Sequence, residues 1–344
     1  MLHHDGMNTT PLAGPLQVFL THTEEEFAAY YGPAGLDGLR QHARVVRNAT
    51  GRVLAGRDLA AAAAGCQVIV AHRSAPGTAE TFAHAPALVA FLRGAVDIST
   101  IDVPAASAAG VLVTRATPGF TDAVAELGLG LMIDLARGVS NAVCAYRAGQ
   151  LPVPLMGMQL TGAMLGIVGY GRIARRLAAM ALSIGMRVQV HDPFSPPQEA
   201  GIAAVTFAEV LTGSDIIVCL ALSTAQTANL FDTAAFAAMK RGAMFVNLSR
   251  GELVDEEALE AALEAGHLRG AAMDVGRAAD QKPQPRLARR ADVVATPHLG
   301  GLTTEARDHQ MMDTVRQVAA LAAHRMPDGA VNPGEARRLR LLWG

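Results

Sequence analysis

Charge is scarce in this chain. Only 17% of its 344 residues are charged, and 29 basic and 31 acidic side chains nearly cancel to a net charge of -2. Nothing in that balance suggests DNA, RNA or an anionic membrane surface as the partner. Lysine is almost missing: Lys240 and Lys282 are the only two. With so much alanine, the arginine excess reads as a coding bias and not as a nucleic-acid surface. No uninterrupted apolar run is long enough to span a bilayer. The start, MLHHDGMNTTPLAGP, lacks the basic end and apolar core of a secretory signal. Residues 1–14 read as a loose tail, with His3 and His4 part of it and not a metal site. Cysteine is also sparse. Cys66, Cys144 and Cys219 are odd in number and show no CxxC spacing, so buried free thiols in a reducing cytoplasm are expected. No repeat at solenoid periods is present.

What is abundant is apolar: 51% of residues are hydrophobic, ample for a core, and the length suggests two domains. Short apolar runs alternate with helix-like stretches nearly throughout, the pattern of parallel sheets covered by helices. LQVFLTHT (16–23), HARVVRN (42–48) and CQVIVAH (66–72) read as strands. The first is followed by a short helix with Thr23 as its N-cap. ALVAFLRG and GVLVTRA add two more strands. Residues 122–139 read as one long helix, apolar over a wide face and so buried between elements or subunits. The Pro-, Gly- and Met-rich stretch 149–162 reads as a connecting arm. A second α/β series runs from Met164 to about Gly300, and 303–326 reads as a final helix. The basic tail with Arg337, Arg338 and Arg340 reads as a solvated terminus, with contact to an acidic partner as the alternative.

The sharpest local motif is LGIVGYGRIARRLA (165–178). A strand meets the turn Gly169-Tyr170-Gly171, and a helix opens at Arg172. Gly169 permits the tight turn, Gly171 lets the backbone approach a pyrophosphate, and Ala174 lets helix and strand pack closely. The helix N-terminus offers unpaired N–H groups and a partial positive charge to phosphates. A second strand, MRVQVHDP, ends in Asp192, 21 residues beyond Gly171, where a ribose-binding carboxylate belongs. Pro193 to Pro197 include no arginine for a 2'-phosphate, so NAD is favoured over NADP. A structural βα turn and a polar strand end are the competing explanations.

Downstream, three strand-like runs end at or near chemically capable side chains: AMFVNLSR at Arg250, LRGAAMD at Asp274 and DVVATPH at His298. The C-terminal edge of a parallel sheet is where doubly wound folds bind ligands. Asp255 and the glutamates around it lead into a helix.

Taken with LRGAVDISTID (92–102), AVAELGLGLMIDLAR (123–137), the GYGRIA turn, VNLSRGELVDEEAL (246–259), AAMDV (271–275) and ATPHLGGLT (295–303), the chain resembles the D-isomer-specific 2-hydroxyacid dehydrogenase family over residues 68–310. The family includes phosphoglycerate dehydrogenases and glyoxylate/hydroxypyruvate reductases. The resemblance implies an α/β fold of two Rossmann-like doubly wound parallel-sheet domains with a cleft between them. The substrate domain would be residues 1–113 plus 302–344, and the NAD-binding domain 114–301. A homodimer formed through the cofactor domain is also implied. NAD would be lined by Val96, Gly169, Gly171, Arg172, Ile173, Asp192, Ala221, Leu248, Asp274, Gly300 and Gly301. Asp274 would take hydrogen bonds from the nicotinamide amide or ribose. Arg250 would clamp the substrate carboxylate, a task suited to a planar cation with paired donors. His298 would exchange the proton with the 2-hydroxyl. Ala95 and Val96 would receive the carboxylate's other side. Arg73 and Ser74 would line the pocket, or else lie on the surface.

The chain departs from the family pattern at several points. The family's usual glutamate, five residues after the position of Asp274, is Ala279 here. Asp280, or with a further shift Gln281, is the candidate partner for His298. A usual glycine in the carboxylate loop is Asp97, a usual asparagine is Phe120, and a usual His-X-Pro is Leu220-Ala221-Leu222. Nothing resembles an added phosphate clamp. The implied reaction is therefore NAD-dependent interconversion of a small D-2-hydroxy acid and its 2-oxo acid. An NAD(H)-sensing binding protein of the same fold and a formate- or phosphite-type dehydrogenase are the alternatives.

Overall fold

A computed structural model of the chain describes residues 14–343. The tail expectation for residues 1–13, with His3 and His4, lies outside the described residues. The chain divides into two compact units: Met1–Gly119 with Thr304–Gly344, and Phe120–Thr303.

Among the described residues the first unit holds five strands: β1 (Gln17–Leu20), β2 (Arg44–Arg47), β3 (Val68–Ala71), β4 (Ala90–Arg93) and β5 (Leu112–Arg115). All pair in parallel, in the order β2-β1-β3-β4-β5. Apolar residues sit on both faces because helices cover both. Leu20, Val70 and Leu92 fill one core, and Phe19, Ile69 and Phe91 the other. Thr23 caps its helix as expected: its side chain accepts from Glu26 N, and Glu26 answers in a capping box. The helix Thr304–Ala322 closes one face through Met311, Val315 and Val318. It ends earlier than the 326 expected. The last turns bend back at His324, whose φ is +55°.

The C-terminal segment is docked and not solvated, contrary to expectation. Arg338 Nη1 donates to the carbonyls of Ala85 and Leu88 at 2.8 and 2.9 Å. Asn332 pairs with the backbone of Val111 and Val113 at the free edge of β5. Free carbonyls and an open strand edge are strong hydrogen-bonding surfaces, and the tail supplies their partners.

A polar cluster sits at the C-terminal ends of β1 and β3. His22 is 3% exposed, its Nδ1 has no partner among the described residues, and its ring lies 5.1 Å from that of His72. Burial, with His72 adding to it, pushes His22 down from 6.5 to about 3. A histidine lowered in this way favours the folded state only while neutral. Stability is therefore complete above pH 6.5 and lost as pH falls toward 3. The slope for one proton is about 1.4 kcal/mol per pH unit, or about 3 kcal/mol from pH 6.5 to 4. Urea titrations over that range should show His22→Leu losing most of this pH dependence. A variant with the wild-type slope would place the titrating group elsewhere.

The second unit holds seven parallel strands: β6 (Met164–Val168), β7 (Arg187–His191), β8 (Ile202–Ala204), β9 (Ile216–Cys219), β10 (Met244–Asn247), β11 (Gly270–Met273) and β12 (Val293–Ala295). Their order is β12-β11-β10-β9-β6-β7-β8. Successive residues again feed opposite cores: Ile216 and Val218 one, Ile217 and Cys219 the other. The helix expected over 122–139 stops at Arg137. Gly138 takes a left-handed φ of 66°, and a second helix, Val139–Arg147, leaves at 71°. Glycine adopts that conformation without penalty, so it ends the helix. Cys144 lies on this second helix and is exposed, while Cys66 and Cys219 are buried as expected, and all three are free. Among the described residues no single helix is long and apolar enough to cross a membrane.

Candidate functional site

The order of the second sheet reverses at β6, whose neighbours are β7 on one side and β9 on the other. That is the switch point where a doubly wound sheet leaves a crevice. Here β6 turns through Gly169-Tyr170-Gly171 into the helix Arg172–Ser183. Gly169 has φ +90°, and a Cβ on it would lie 2.4 Å from N and Cα of Ala221, two residues beyond β9. Gly171 is different: its backbone is extended, and a Cβ would meet nothing within 4 Å. The open space lies directly before the helix, whose N-terminus has no side-chain cap. The N–H groups of the first turn, at Arg172 and Ile173, thus lack intrahelical acceptors. A cradle of this kind fits a dinucleotide pyrophosphate.

Asp192 follows β7 and is tied to the same turn. It accepts from Tyr170 N at 2.7 Å and from Phe194 N and Ser195 N at 2.9 Å each. Burial opposes its charge, yet the three backbone donors hold the carboxyl below its usual range. A fixed, ionised carboxylate at this strand end suits ribose hydroxyls and repels a 2'-phosphate. Arg175, which the sequence reading passed over, lies over the Tyr170 ring and donates to Glu199 and to Ser195. Its guanidinium braces the Asp192 loop.

The adjacent strands β10, β11 and β12 carry the other candidates at their C-terminal ends. Arg250 comes three residues after β10. Asn247 Nδ2 donates to its carbonyl at 3.0 Å, and its exposed guanidinium donates to Ser249 O at 2.7 Å. Leu248 is buried, and Ser249 Oγ binds the carbonyl of Ala221. Asp274, 2% exposed, spends its carboxylate on the turn after β12. It accepts from Thr296 Oγ1 at 2.6 Å, Leu299 N at 2.7 Å and Gly300 N at 2.8 Å. Its first task is therefore to build the turn that presents His298. A side chain at Gly300 would press on that carboxylate at 2.9 Å, whereas Gly301 is exposed beside Phe120.

His298 itself is half-buried with φ +62°. Its Nδ1 faces the main-chain oxygen of Asp280 at 3.1 Å. The expected carboxylate partnership with Asp280 is not formed. That carboxylate pairs with Lys282 Nζ at 3.6 Å and is largely exposed. The reason is local geometry. Asp280 and Gln281 both have φ +57°, and this left-handed pair puts a carbonyl where a side chain was anticipated. Gln281 does not reach the ring either; its amide binds Glu252 and Gly251 N.

Two residues outside the expected site, Arg277 and Glu256, hold these loops together. Arg277 donates to the carbonyls of Gly251, Val254 and Glu252 and to Asn229. Its own N–H donates to Glu256 Oε1 at 2.9 Å. Glu256 is 3% exposed and raised above its usual range by burial. A loop arginine after Gly276 gave no periodic or spacing signal, and so it was invisible.

In the first unit, Arg73 and Ser74 follow β3 and are exposed, and Ala95 and Val96 follow β4 and are half-buried. Ser74 Oγ lies 2.9 Å from His72 Nδ1 and donates to Glu26. Asp97 folds back on its own loop, accepting from Ser99 N and Ser99 Oγ at 2.8 and 3.0 Å.

Sheet order and the uncapped glycine turn together define a dinucleotide-binding protein. Residues 129–300 match the family model described as D-isomer specific 2-hydroxyacid dehydrogenase, NAD binding domain. The chain is 38% identical over 259 residues to D-3-phosphoglycerate dehydrogenase of Mycobacterium leprae, covering 74% of this chain and 49% of that protein. It is 36% identical over 265 residues to the (S)-sulfolactate dehydrogenase of Chromohalobacter salexigens, covering 76% and 86%. A solved structure from Polaromonas sp. JS6 66, assigned to the D-isomer specific 2-hydroxyacid dehydrogenases, superposes with TM-score 0.82. It is 29% identical, with 92% of this chain and 100% of that one covered. The chain spans about half the length of the phosphoglycerate dehydrogenase it matches. It belongs to the D-isomer specific 2-hydroxyacid dehydrogenase family, and NAD is its cofactor.

Proposed function

We propose that the protein is an NAD-dependent oxidoreductase that interconverts a small D-2-hydroxy acid and its 2-oxo acid. The observation that carries this reading is the presentation of His298. Asp274 is spent on fixing its turn, and a main-chain carbonyl fixes its ring. A carbonyl oxygen only accepts, so the neutral imidazole carries its proton on Nδ1 and leaves Nε2 bare. Nε2 then takes the hydroxyl proton as the C2–O bond becomes a carbonyl, and returns it in reduction. NAD, when bound, supplies the acceptor for the hydride leaving C2. Arg250, on an ordered loop with an exposed guanidinium, binds the carboxylate and draws electron density from the 2-oxo group. The uncapped turn at Gly171 to Ile173 holds the pyrophosphate, and Asp192 the ribose.

The second helix of the bent pair and the arm after it fit a second copy of the chain. Tyr146, Leu151, Val153, Leu155 and Met156 are 64 to 93% exposed along one continuous stretch, more apolar surface than a solvated segment normally displays. Sedimentation should report twice the 35.8 kDa chain mass. The three free thiols fit a reducing, cytoplasmic setting.

The test is NADH oxidation, read by absorbance, against glyoxylate, hydroxypyruvate, pyruvate, phenylpyruvate and 2-oxoisocaproate, with NADPH in parallel. Turnover with one or more of these, and a preference for NADH from Asp192, are expected. NADH binding with silence across the panel would overturn the 2-oxo acid reading.

A further inference from the structure

We propose that Gln281 is the positioning residue for His298. Through a two-ended clamp on Glu252 and Gly251, it fixes the Asp280 carbonyl against the imidazole and so sets which ring nitrogen is bare. This rests on the reading of His298 as the proton-exchanging group.

The loop is held in a conformation it would not adopt alone. Asp280 and Gln281 in sequence, and His298 facing them, are all left-handed without being glycine. Each is strained for a residue with a Cβ and persists only where surroundings over-determine it. Those surroundings are specific. Gly276 N donates to Gln281 O at 2.8 Å and Ala278 N to Lys282 O at 2.9 Å, closing the turn on itself. The Gln281 side chain then anchors the turn from outside. Its Nε2 donates to Glu252 Oε1 at 2.8 Å, and its Oε1 accepts from Gly251 N at 3.2 Å.

Both ends of the amide are needed. A donor must face Glu252, whose carboxylate is held below its usual range first of all by this hydrogen bond, and an acceptor must face Gly251 N. Glutamine offers one of each. Glutamate at 281 would set two carboxylates against each other, and methionine would make neither bond. Because Glu252 and Gly251 immediately follow Arg250, the same clamp ties the His298 partner loop to the Arg250 loop. One side chain thus couples the two groups that address the substrate.

The experiment uses the full chain with NADH and whichever panel 2-oxo acid turns over. Gln281→Glu should lower kcat between about ten- and a hundredfold, the range for a misplaced catalytic group, with KM for NADH unchanged. The exchanged pair Glu252→Gln with Gln281→Glu restores one donor and one acceptor in opposite order and should recover most of the loss. Gln281→Met, of similar length and neutral, should fall in between, and it keeps the test open should the glutamate variant fold poorly. Nitrogen-15 NMR of the histidines should show His298 protonated at Nδ1 in the wild type and a mixture of tautomers in Gln281→Glu. Wild-type kcat and tautomer in Gln281→Glu, beside an inactive His298→Asn, would overturn the clamp alone. An active His298→Asn would overturn the underlying reading instead.

Discussion

Replacing His298 by asparagine should lower turnover by about 10²- to 10⁴-fold, the usual contribution of a positioned general acid–base group, while NADH binding stays largely intact. Asparagine suits the left-handed φ of +62° at this position better than most residues, so the turn should survive. Its side-chain amide can still donate toward the Asp280 carbonyl, but it cannot take up a proton near neutral pH. The proposed NAD cradle at Gly171 and Asp192 follows β6 and β7, other strands of the same sheet, and is untouched by the change. The measurement is steady-state NADH oxidation beside NADH titration by fluorescence. Near-normal turnover would remove His298 from proton transfer. Joint loss of turnover and NADH binding would mean that the turn itself had collapsed.

The order of motifs along the chain was enough to read the two sheets, the βα turn and the three strand ends that carry Arg250, Asp274 and His298. Parallel strands buried on both faces leave near-continuous apolar runs such as VIVA in β3 and IIVC in β9, and these are visible without coordinates. Gly169 and Asp192 were legible because spacing along a strand–turn–helix unit is itself geometry. Helix boundaries were less so. Gly138 stands inside an apolar stretch that reads as one helix, and only its left-handed backbone reveals the break. The tail failed for a related reason. Arg338 and Asn332 look like surface residues until their partners are found on segments more than 200 positions away.

The partner of His298 was the least legible feature. A side-chain partner such as Asp280 can be named from its letter. The structure offers a main-chain carbonyl, which every residue carries, presented by two left-handed residues that no composition rule marks. Asp274 was located correctly at the end of β11, yet its dominant bonds go to Thr296, Leu299 and Gly300 within the protein. In both cases the residue type was evident and its hydrogen-bond partners were not.

The two glycines of the βα turn should separate folding from cofactor binding. In Gly169→Ala, the added methyl would lie 2.4 Å from the backbone of Ala221, on a residue already at φ +90°. Neither atom is the end of a flexible side chain, so the backbone just after β9 must shift. Backbone strain and overpacking together cost about 3 kcal/mol, which for a unit of this size lowers Tm by roughly 6–12 °C. In Gly171→Ala, the same methyl meets nothing and the backbone is extended. Tm should hold, or rise slightly as the unfolded chain loses freedom. The methyl would instead project into the space before the helix, where the pyrophosphate is proposed to approach the N–H groups. A loss of one such charge-assisted contact corresponds to about a tenfold weaker NADH affinity. Calorimetry and NADH titration on both variants read the two effects independently. If Gly171→Ala binds NADH as the wild type does, the phosphates do not sit on this turn. If Gly169→Ala melts with the wild type, the segment at Leu220 and Ala221 yields to the methyl without cost to the fold.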